Sequence, residues 1–186
     1  MTLARFLIPA CLVTLTLALG GCAGQGPDPT RKAGITTRTV PAMTFFYREY
    51  DLPASAVEER IEPIAEEVAL AAVRRARLEI VGPLTLVFPD FRDYGDAELA
   101  VAFGYPVRGH GSRLQNYRTE RKERFHCLSV VFDRSSQEAS EVWRTLYETA
   151  ARRELEPIDE NRVVIREQGN GYRTEFQLGL RSLGAR

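Results

Sequence analysis

Residues 162–181 read RVVIREQGNGYRTEFQLGLR and carry the clearest structural pattern in the sequence. Residues 162–167 are rich in β-branched side chains, residues 168–171 carry a Gly-Asn-Gly turn signal, and residues 172–181 mix polar and apolar positions. Such a pattern is typical of two antiparallel strands joined by a tight hairpin turn. The hairpin predicts that this end of the chain builds an antiparallel sheet.

A strand and a helix are predicted immediately before this hairpin. Residues 125–133 are predicted as the strand, and residues 136–154 as the helix. Ser135 and Glu138 fit a capping box, in which each side chain binds a free backbone amide of the other residue. The helix has apolar residues three or four positions apart, which indicates one buried face: Val142, Trp143, Leu146, Tyr147 and Ala150.

The first half of the domain repeats this order of elements. The repeat consists of a strand at 44–50, a helix at 55–78, a strand at 84–91, a turn at 94–96 and a strand at 98–107. Ser55 and Glu58 form a second capping box signal. The capping serine precedes the acid near the start of the last strand by 43 positions in the first half (Ser55 to Glu98) and by 40 in the second (Ser135 to Glu175).

The two matched halves predict the fold class. Repeats at about 44–107 and 125–181 imply an α+β domain with two strand–helix–strand–strand units and pseudo-twofold symmetry. Its sheet should be largely antiparallel, with the helices on one face. The locally basic segment 108–124 between the repeats is interpreted as a solvated loop.

The N-terminal segment predicts export and lipid attachment. After Arg5, residues 6–19 form an apolar run with two threonines and a proline. This run is too short to span a bilayer and has the length of a signal-peptide core. It ends in Leu-Gly-Gly-Cys, which resembles the bacterial lipobox, so residues 1–21 are predicted to be a lipoprotein signal peptide and Cys22 the lipidated residue.

Three regions follow from this interpretation of the N-terminus. Residues 22–42 are predicted to be a flexible tether, because they are rich in Gly, Pro, Thr and charge and lack an apolar period. Residues 43–183 form the folded domain. Ala23 follows the cysteine, whereas an Asp there would resemble an inner-membrane retention signal. We therefore expect a location on the periplasmic face of the outer membrane.

Composition excludes several functional classes. The chain has 25 basic and 25 acidic residues, and removal of the signal peptide takes away only Arg5. This balance gives no electrostatic signature for nucleic acid, so none is expected as a partner. Cys127 is the only cysteine after Cys22, which excludes an internal disulfide, and it is interpreted as a buried apolar residue. The two histidines lack metal-ligand spacing, so neither a metal nor a cofactor is expected.

Three segments of this pattern resemble the gyrase-inhibitor-like (GyrI-like) small-molecule-binding domain. They are residues 98–107 (ELAVAFGYPV), 139–147 (ASEVWRTLY) and 174–178 (TEFQL). The family also supplies the effector-binding half of bacterial transcription regulators, and the resemblance covers nearly the whole domain. It implies that Glu175, on the last strand, is the carboxylate that contacts the ligand.

The expected site is a cleft between the two repeats. In a strand, alternate side chains share a face, so Glu175 and Gln177 should face the cleft while Phe176 and Leu178 pack under the helices. A desolvated carboxylate favours a cation, and aromatic walls add cation–π attraction. The candidate ligand-binding residues are Glu175, its pseudo-equivalent Glu98, and the aromatic residues Tyr47, Phe88, Phe103, Tyr105, Trp143 and Tyr147.

Three classes of function are consistent with this sequence. The first is a membrane-anchored, extracytoplasmic binding module for a small hydrophobic or cationic molecule. The second is a hydrolase, since some relatives of the fold are hydrolases, with Glu175 as general base. The third is an envelope subunit that binds another protein. No nucleophile–base pair or metal cluster supports catalysis in the sequence, so binding is the favoured hypothesis.

Overall fold

A computed structural model describes residues 34–89, 98–133 and 137–182. The described residues contain two α-helices, α1 (Val57–Leu70) and α2 (Ala139–Arg152). They also contain nine strands: β1 (Thr36–Val40), β2 (Met43–Pro53), β3 (Glu79–Ile80), β4 (Leu84–Phe88), β5 (Glu98–Arg108), β6 (Arg118–Lys122), β7 (Phe125–Phe132), β8 (Pro157–Gln168) and β9 (Gly171–Leu180).

All nine strands belong to one antiparallel sheet with mirrored halves. Its order is β1-β7-β9-β8-β4-β5-β2-β6, and β3 pairs with β5. The strands of the first repeat lie in the order β4-β5-β2, and those of the second repeat lie in the order β7-β9-β8. The two orders are mirror images about the β4–β8 pair, so that β4 corresponds to β8, β5 to β9 and β2 to β7. The predicted α+β fold with two pseudo-symmetric strand–helix–strand–strand repeats is thereby confirmed.

The β8–β9 hairpin forms as predicted. Gln168 pairs with Gly171, so β8 and β9 are joined by a two-residue turn. Gly169 has a φ of 60°, a left-handed conformation that costs glycine little because it has no Cβ.

Helix α1 begins differently from the prediction. A 3₁₀ turn, Ala54–Ala56, leads directly into the helix, so Ser55 lies inside that turn and Ala56 takes the N-cap position without a side-chain bond. The expected capping box at Ser55 is therefore wrong. The helix continues into a π-helical segment, Ala71–Arg75, and the chain leaves it through Arg77, whose φ is 61°.

Helix α2 matches its predicted position. Its N-cap residue is Glu138, which makes no capping hydrogen bond through its side chain, and the predicted capping residue Ser135 lies outside the described residues. The apolar stripe is buried as expected, with Val142, Trp143 and Leu146 at 4% exposure or less.

Both helices cover the same face of the sheet. The main core contains Ile64 and Val68 of α1 together with Leu146 of α2, and it includes Phe176 and Leu178 of β9. Because strand side chains alternate, the neighbours of these β9 residues lie on the other surface, which we call the helix-free face. Neither described helix combines the length and apolarity that crossing a membrane requires.

Two strands lie where the sequence predicted irregular chain. Thr36–Val40, inside the predicted tether, forms β1 and pairs antiparallel with β7 from Thr36↔Ser129 to Val40↔Phe125. Arg118–Lys122, inside the predicted solvated loop, forms edge strand β6 against β2. Both strands are short and mostly exposed, so they lack the apolar alternation on which the prediction depended.

Some sequence predictions lie outside the described residues. They are the signal peptide at 1–21, the lipidated Cys22, the tether up to residue 33, the turn at 94–96 and the end of the domain at residue 183.

The sheet curls strongly toward the helix-free face. Strands β6 and β7 are six strand spacings apart in the sheet, roughly 29 Å if it were flat. Only residues 123 and 124 join them, and this link can span at most about 11 Å. Lys122 of β6 reaches across to Glu160 of β8, with 3.5 Å between their charged groups. The sheet therefore bends towards the face that carries these two side chains, so the helix-free face is the concave one.

Candidate functional site

Buried polar side chains concentrate on the helix-free face. Among the described residues, seven polar or charged side chains are buried, and five of them neighbour core residues in their strands, so they point away from the helices. These five are Thr85, Ser129, Arg162, Glu175 and Gln177. Burying polar groups costs free energy unless they are hydrogen-bonded, and buried titratable groups concentrate at functional sites. We therefore take this cluster as the candidate site.

Glu175 is the anionic centre of this cluster. Its Oε1 accepts hydrogen bonds from Ser129 Oγ at 2.6 Å, Gln177 Nε2 at 2.8 Å and Arg38 Nη1 at 2.6 Å. Burial by itself raises the pKa of Glu175, but the hydrogen bonds from Ser129 and Gln177 and the charge of Arg38 outweigh it and lower the pKa below its ordinary value. The carboxylate is therefore charged at neutral pH and suited to hold a cation.

Arg38 is a cation that the chain itself supplies to this carboxylate. It comes from edge strand β1, and its side chain is 48% exposed, whereas that of Glu175 is 7% exposed. Four of the five residues of β1 are exposed, so little buried surface holds this strand on the sheet. A cationic ligand of Glu175 would compete with the Arg38 guanidinium.

A single register row connects Glu175 to an aromatic pair across the concave face. Glu175 pairs with Val164, Val164 with Thr85, Thr85 with Gly104, and Gly104 with Tyr47. A Cβ atom at position 104 would lie 2.6 Å from the Cβ of Tyr47, which is too close. Only glycine at this position therefore allows the Tyr47 side chain to adopt its observed position. The row therefore has an acid at one end and an aromatic ring at the other, with small or apolar residues between them.

The aromatic end of the row is a stacked pair. The rings of Phe45 and Tyr47 lie 5.2 Å apart at an interplanar angle of 20°. Both residues are at most 4% exposed, and they form a second small core on the helix-free face with Ala102. Desolvation raises the pKa of Tyr47, and Glu120 raises it further, so its hydroxyl stays protonated at neutral pH.

A chain of ion pairs connects β6 with β8 across the concave face. Lys122 Nζ lies 2.6 Å from Glu120 and 3.5 Å from Glu160. Arg162 donates to Glu160 through Nε at 2.9 Å and Nη2 at 2.6 Å, and its guanidinium stands 3.8 Å from the centre of the Phe125 ring. The side chain of Glu120 is 40% exposed and that of Lys122 22%, whereas that of Arg162 is 3% exposed, so the β6 end of this chain is the more open to solvent.

The sheet separates most of the predicted aromatic wall from Glu175. Trp143 lies in the core under the helices, 5.0 Å from the ring of Phe176 on the surface opposite Glu175. Tyr147 belongs to the same side, where its hydroxyl accepts a hydrogen bond from Asn161 at 3.1 Å. The expectation that one of these two residues lies beside Glu175 is wrong, because α2 covers the face that Phe176 occupies.

The remaining predicted site residues are distributed as follows. Phe88 and Phe103 are buried in the main core, Tyr105 is half-buried and donates its hydroxyl to the Ala65 carbonyl at 3.2 Å, and Glu98 is exposed at the start of β5. Tyr47 shares the helix-free face with Glu175, at the far end of the row. Glu175 and Gln177 share one face as the sequence predicted.

Four residues of the site were missed in the sequence, and one of them, Thr85, appeared only as part of the strand predicted at 84–91. Arg38 lies in a segment interpreted as a tether, although its TTRTV stretch has the β-branched content of a strand. Ser129 alternates with Cys127 on β7, and their common face could have been read from the sequence. Arg162 appeared only as the first residue of a strand, and no local signal marks it as buried.

Cys127 lies beside this cluster and is not exposed. It is fully buried, as predicted, and desolvation raises the pKa of its thiol to about 12. A thiol with so high a pKa carries almost no thiolate at neutral pH, so it is a poor nucleophile. Within the part of the chain that the structure describes, no three His, Cys, Asp or Glu side chains could together hold a metal ion.

A second polar cluster lies on the other side of β2, near α1. Glu67 accepts hydrogen bonds from Arg48 at 2.7 Å, Tyr117 at 2.8 Å and Tyr50 at 3.2 Å. Desolvation, with the charge of Glu67, raises the pKa of Tyr50 to about 12.

An open groove of about 360 Å³ runs beside Arg48 and Tyr117, and a second of about 500 Å³ lies between Leu78 and β6. Neither groove includes Glu175.

No protein-family model matches the sequence, and no curated protein is significantly similar to it. Solved structures are similar in fold. The C-terminal domain of EcmrR matches with a TM-score of 0.65 at 12% identity, over 81% of this chain and 99% of that domain. In the EcmrR–DNA complex, the match covers 82% of this chain and 59% of the EcmrR chain.

Two further solved structures share the fold. A hydrolase from Listeria innocua has a TM-score of 0.52 at 14% identity, over 81% of this chain and 93% of that one. SAV2435 bound to tetraphenylphosphonium has a TM-score of 0.50 at 8% identity, over 81% and 95% of the two chains. At these identities the similarity concerns the fold alone. The described architecture and these structures fit the α+β fold called GyrI-like, so the resemblance found in the sequence is confirmed at the level of the fold.

Proposed function

We propose that this chain binds a small hydrophobic or cationic molecule on its helix-free face, with Glu175 as the charge that attracts it. The observation that carries the proposal is the placement of Glu175, a 5% exposed carboxylate on a concave sheet surface. It is the only buried carboxylate among the described residues. A carboxylate that is buried but charged favours an organic cation with apolar surface of its own.

The register row suits such a ligand. Val164 and Thr85 form an apolar and weakly polar floor next to Glu175, and the Phe45–Tyr47 pair provides aromatic surface at the other end. Aromatic faces attract organic cations and bury their hydrocarbon parts. SAV2435, which shares the fold, is bound to tetraphenylphosphonium, a lipophilic cation, and this supports the same chemical class for the present chain.

Hydrolysis is the less favoured alternative. A general base works best when its pKa is near the working pH, but hydrogen bonding and Arg38 lower the pKa of Glu175. Its Oε1 already accepts three hydrogen bonds, which makes it a weak proton acceptor. The similarity in fold to a Listeria hydrolase does not change this argument, because function resides in the site rather than the fold.

We also propose that the domain acts outside the cytoplasm, anchored through lipid on Cys22. The support for this location comes from the sequence, in which an apolar run of signal-peptide length ends in Leu-Gly-Gly-Cys.

Nucleic acid is not part of the proposal, because the charges of the chain balance. Similarity to EcmrR covers its C-terminal domain and 59% of the chain that forms the DNA complex.

The test is calorimetric titration of the purified protein with tetraphenylphosphonium. Glu175→Gln keeps the shape of the side chain and removes its charge. The Coulomb attraction of a cation roughly 6–10 Å away is about 2–3 kcal/mol at an effective dielectric constant of about 20, so the affinity should fall by about ten- to a hundredfold. The matched control is Glu79→Gln, which removes the charge of an ion-paired, 63% exposed carboxylate and should leave the affinity unchanged. Equal affinities of the wild type and Glu175→Gln would contradict the proposed role of Glu175.

A further inference from the structure

The amide of Gln177 has a defined orientation. Its Nε2 donates a hydrogen bond to Glu175 Oε1 at 2.8 Å. An ionised carboxylate can only accept hydrogen bonds, so the amide group facing it must be the NH₂ and not the oxygen. Gln177 Oε1 is therefore a hydrogen-bond acceptor on the other side of the same amide.

Gln177 Oε1 has no hydrogen-bond donor although the residue is only 3% exposed. It is the one buried side-chain nitrogen or oxygen without a partner in the part of the chain that the structure describes. Neighbouring donors are directed elsewhere. Ser129, opposite Gln177 on β7, gives its hydroxyl proton to Glu175, and Arg162, opposite it on β8, directs Nε and Nη2 at Glu160.

The side chain of Arg38 indicates what kind of cation this carboxylate accepts. Its guanidinium places an N–H donor 2.6 Å from Glu175 Oε1, the same oxygen to which Gln177 donates. The guanidinium is half-exposed and belongs to an edge strand, so it can leave this position. A cation with N–H donors thus fits the charge of Glu175, with an unpaired acceptor two residues away on the same face.

We propose that the preferred ligand is an aromatic or alkyl cation bearing N–H donors, such as a protonated amine, amidinium or guanidinium, and that a quaternary cation binds less tightly. One N–H of its charged group binds Glu175 in place of Arg38, and another donates to Gln177 Oε1. The inference rests on the function proposed above and specifies its ligand class. A quaternary ammonium or phosphonium has no N–H, so it leaves Gln177 Oε1 unpaired.

Two matched probes test this specificity: benzylammonium and benzyltrimethylammonium. They have the same ring and charge and differ in N–H donors. Binding of both is measured by calorimetry to the wild-type protein and to Gln177→Met, which keeps the length of the side chain but removes the acceptor. The ratio of the two affinities is the readout, because intrinsic differences in hydration between the probes cancel when the ratios of two proteins are compared.

We expect Gln177→Met to lower the benzylammonium affinity, relative to that of benzyltrimethylammonium, by about tenfold. The control is Gln168→Met at the exposed end of β8, which should leave the ratio at its wild-type value. If Gln177→Met fails to fold, as judged by circular dichroism, Gln177→Asn withdraws the oxygen by one methylene and should lower the ratio in the same direction.

The outcomes separate this inference from the proposed function. If Glu175→Gln weakens both probes while the Gln177 variants leave the ratio unchanged, the site stands and its specificity for N–H donors is refuted. If the Gln177 variants weaken both probes equally, Gln177 supports the fold of the site and the inference also fails. If neither probe binds, the inference fails; if Glu175→Gln also leaves the affinity for tetraphenylphosphonium unchanged, the proposed function itself is refuted.

Discussion

Replacement of Arg38 by methionine should increase the affinity of the protein for an organic cation. In the ligand-free protein the Arg38 guanidinium lies 2.6 Å from Glu175 Oε1, so a cationic ligand has to displace it. Methionine keeps most of the aliphatic stem of the side chain and removes the charge. The carboxylate keeps its hydrogen bonds from Ser129 and Gln177 and stays ionised.

The magnitude follows from the burial of the two partners. A hydrogen bond between charged groups is worth about 1.5–3 kcal/mol when both are buried, whereas an exposed ion pair contributes about 0–1 kcal/mol. The side chain of Arg38 is 48% exposed and that of Glu175 is 7% exposed, so the lower part of this combined range applies, about 1 kcal/mol. At 1.4 kcal/mol per factor of ten, the cation should bind about fivefold more tightly.

The assay is calorimetric titration of both proteins with tetraphenylphosphonium at low ionic strength. Arg108→Met is the matched control, since Arg108 forms an exposed ion pair with Glu79 and its replacement changes the net charge equally. The affinity of the control should equal that of the wild type. An Arg38→Met protein that folds normally and binds the cation no more tightly than the wild type would refute the competition between Arg38 and the ligand.

Two further predictions concern acid stability and processing. The pKa of Glu175 is lower in the folded state than its ordinary value of 4.5, so the carboxylate stabilises the fold above that pH and the contribution is lost as the pH falls through the lowered pKa. Urea unfolding from neutral pH downward should therefore show a steeper loss of stability for the wild type than for Glu175→Gln, and equal slopes would contradict this. Cys22→Ser should either leave the exported protein unprocessed or release it from the membrane, as followed by mass spectrometry and fractionation; a variant with the same mature mass shift and normal membrane fractionation would refute the proposed lipid anchor.

The repeating architecture could be predicted from the amino-acid sequence alone. Hydrophobic periodicity and turn chemistry are local properties, so the β8–β9 hairpin, the apolar stripe of α2 and the matched order of the two halves could be read from neighbouring residues. The same reasoning placed Glu175 and Gln177 on one face, opposite Phe176, because alternation along a strand does not depend on the rest of the fold. It failed for β1 and β6, which are short edge strands whose polar residues carry no apolar alternation.

The residues that surround Glu175 could not be predicted from the sequence, because they depend on the tertiary fold. The two helices lie on one surface of the sheet and leave Glu175 on the other, so the aromatic residues of α2 are separated from it however close they are in the sequence. Curling of the sheet brings Lys122 to Glu160, and the pairing of β1 with β7 brings Arg38 to Glu175 across 137 residues of chain. Such contacts arise from strand order and curvature, which are properties of the whole sheet and leave no local signal in the sequence.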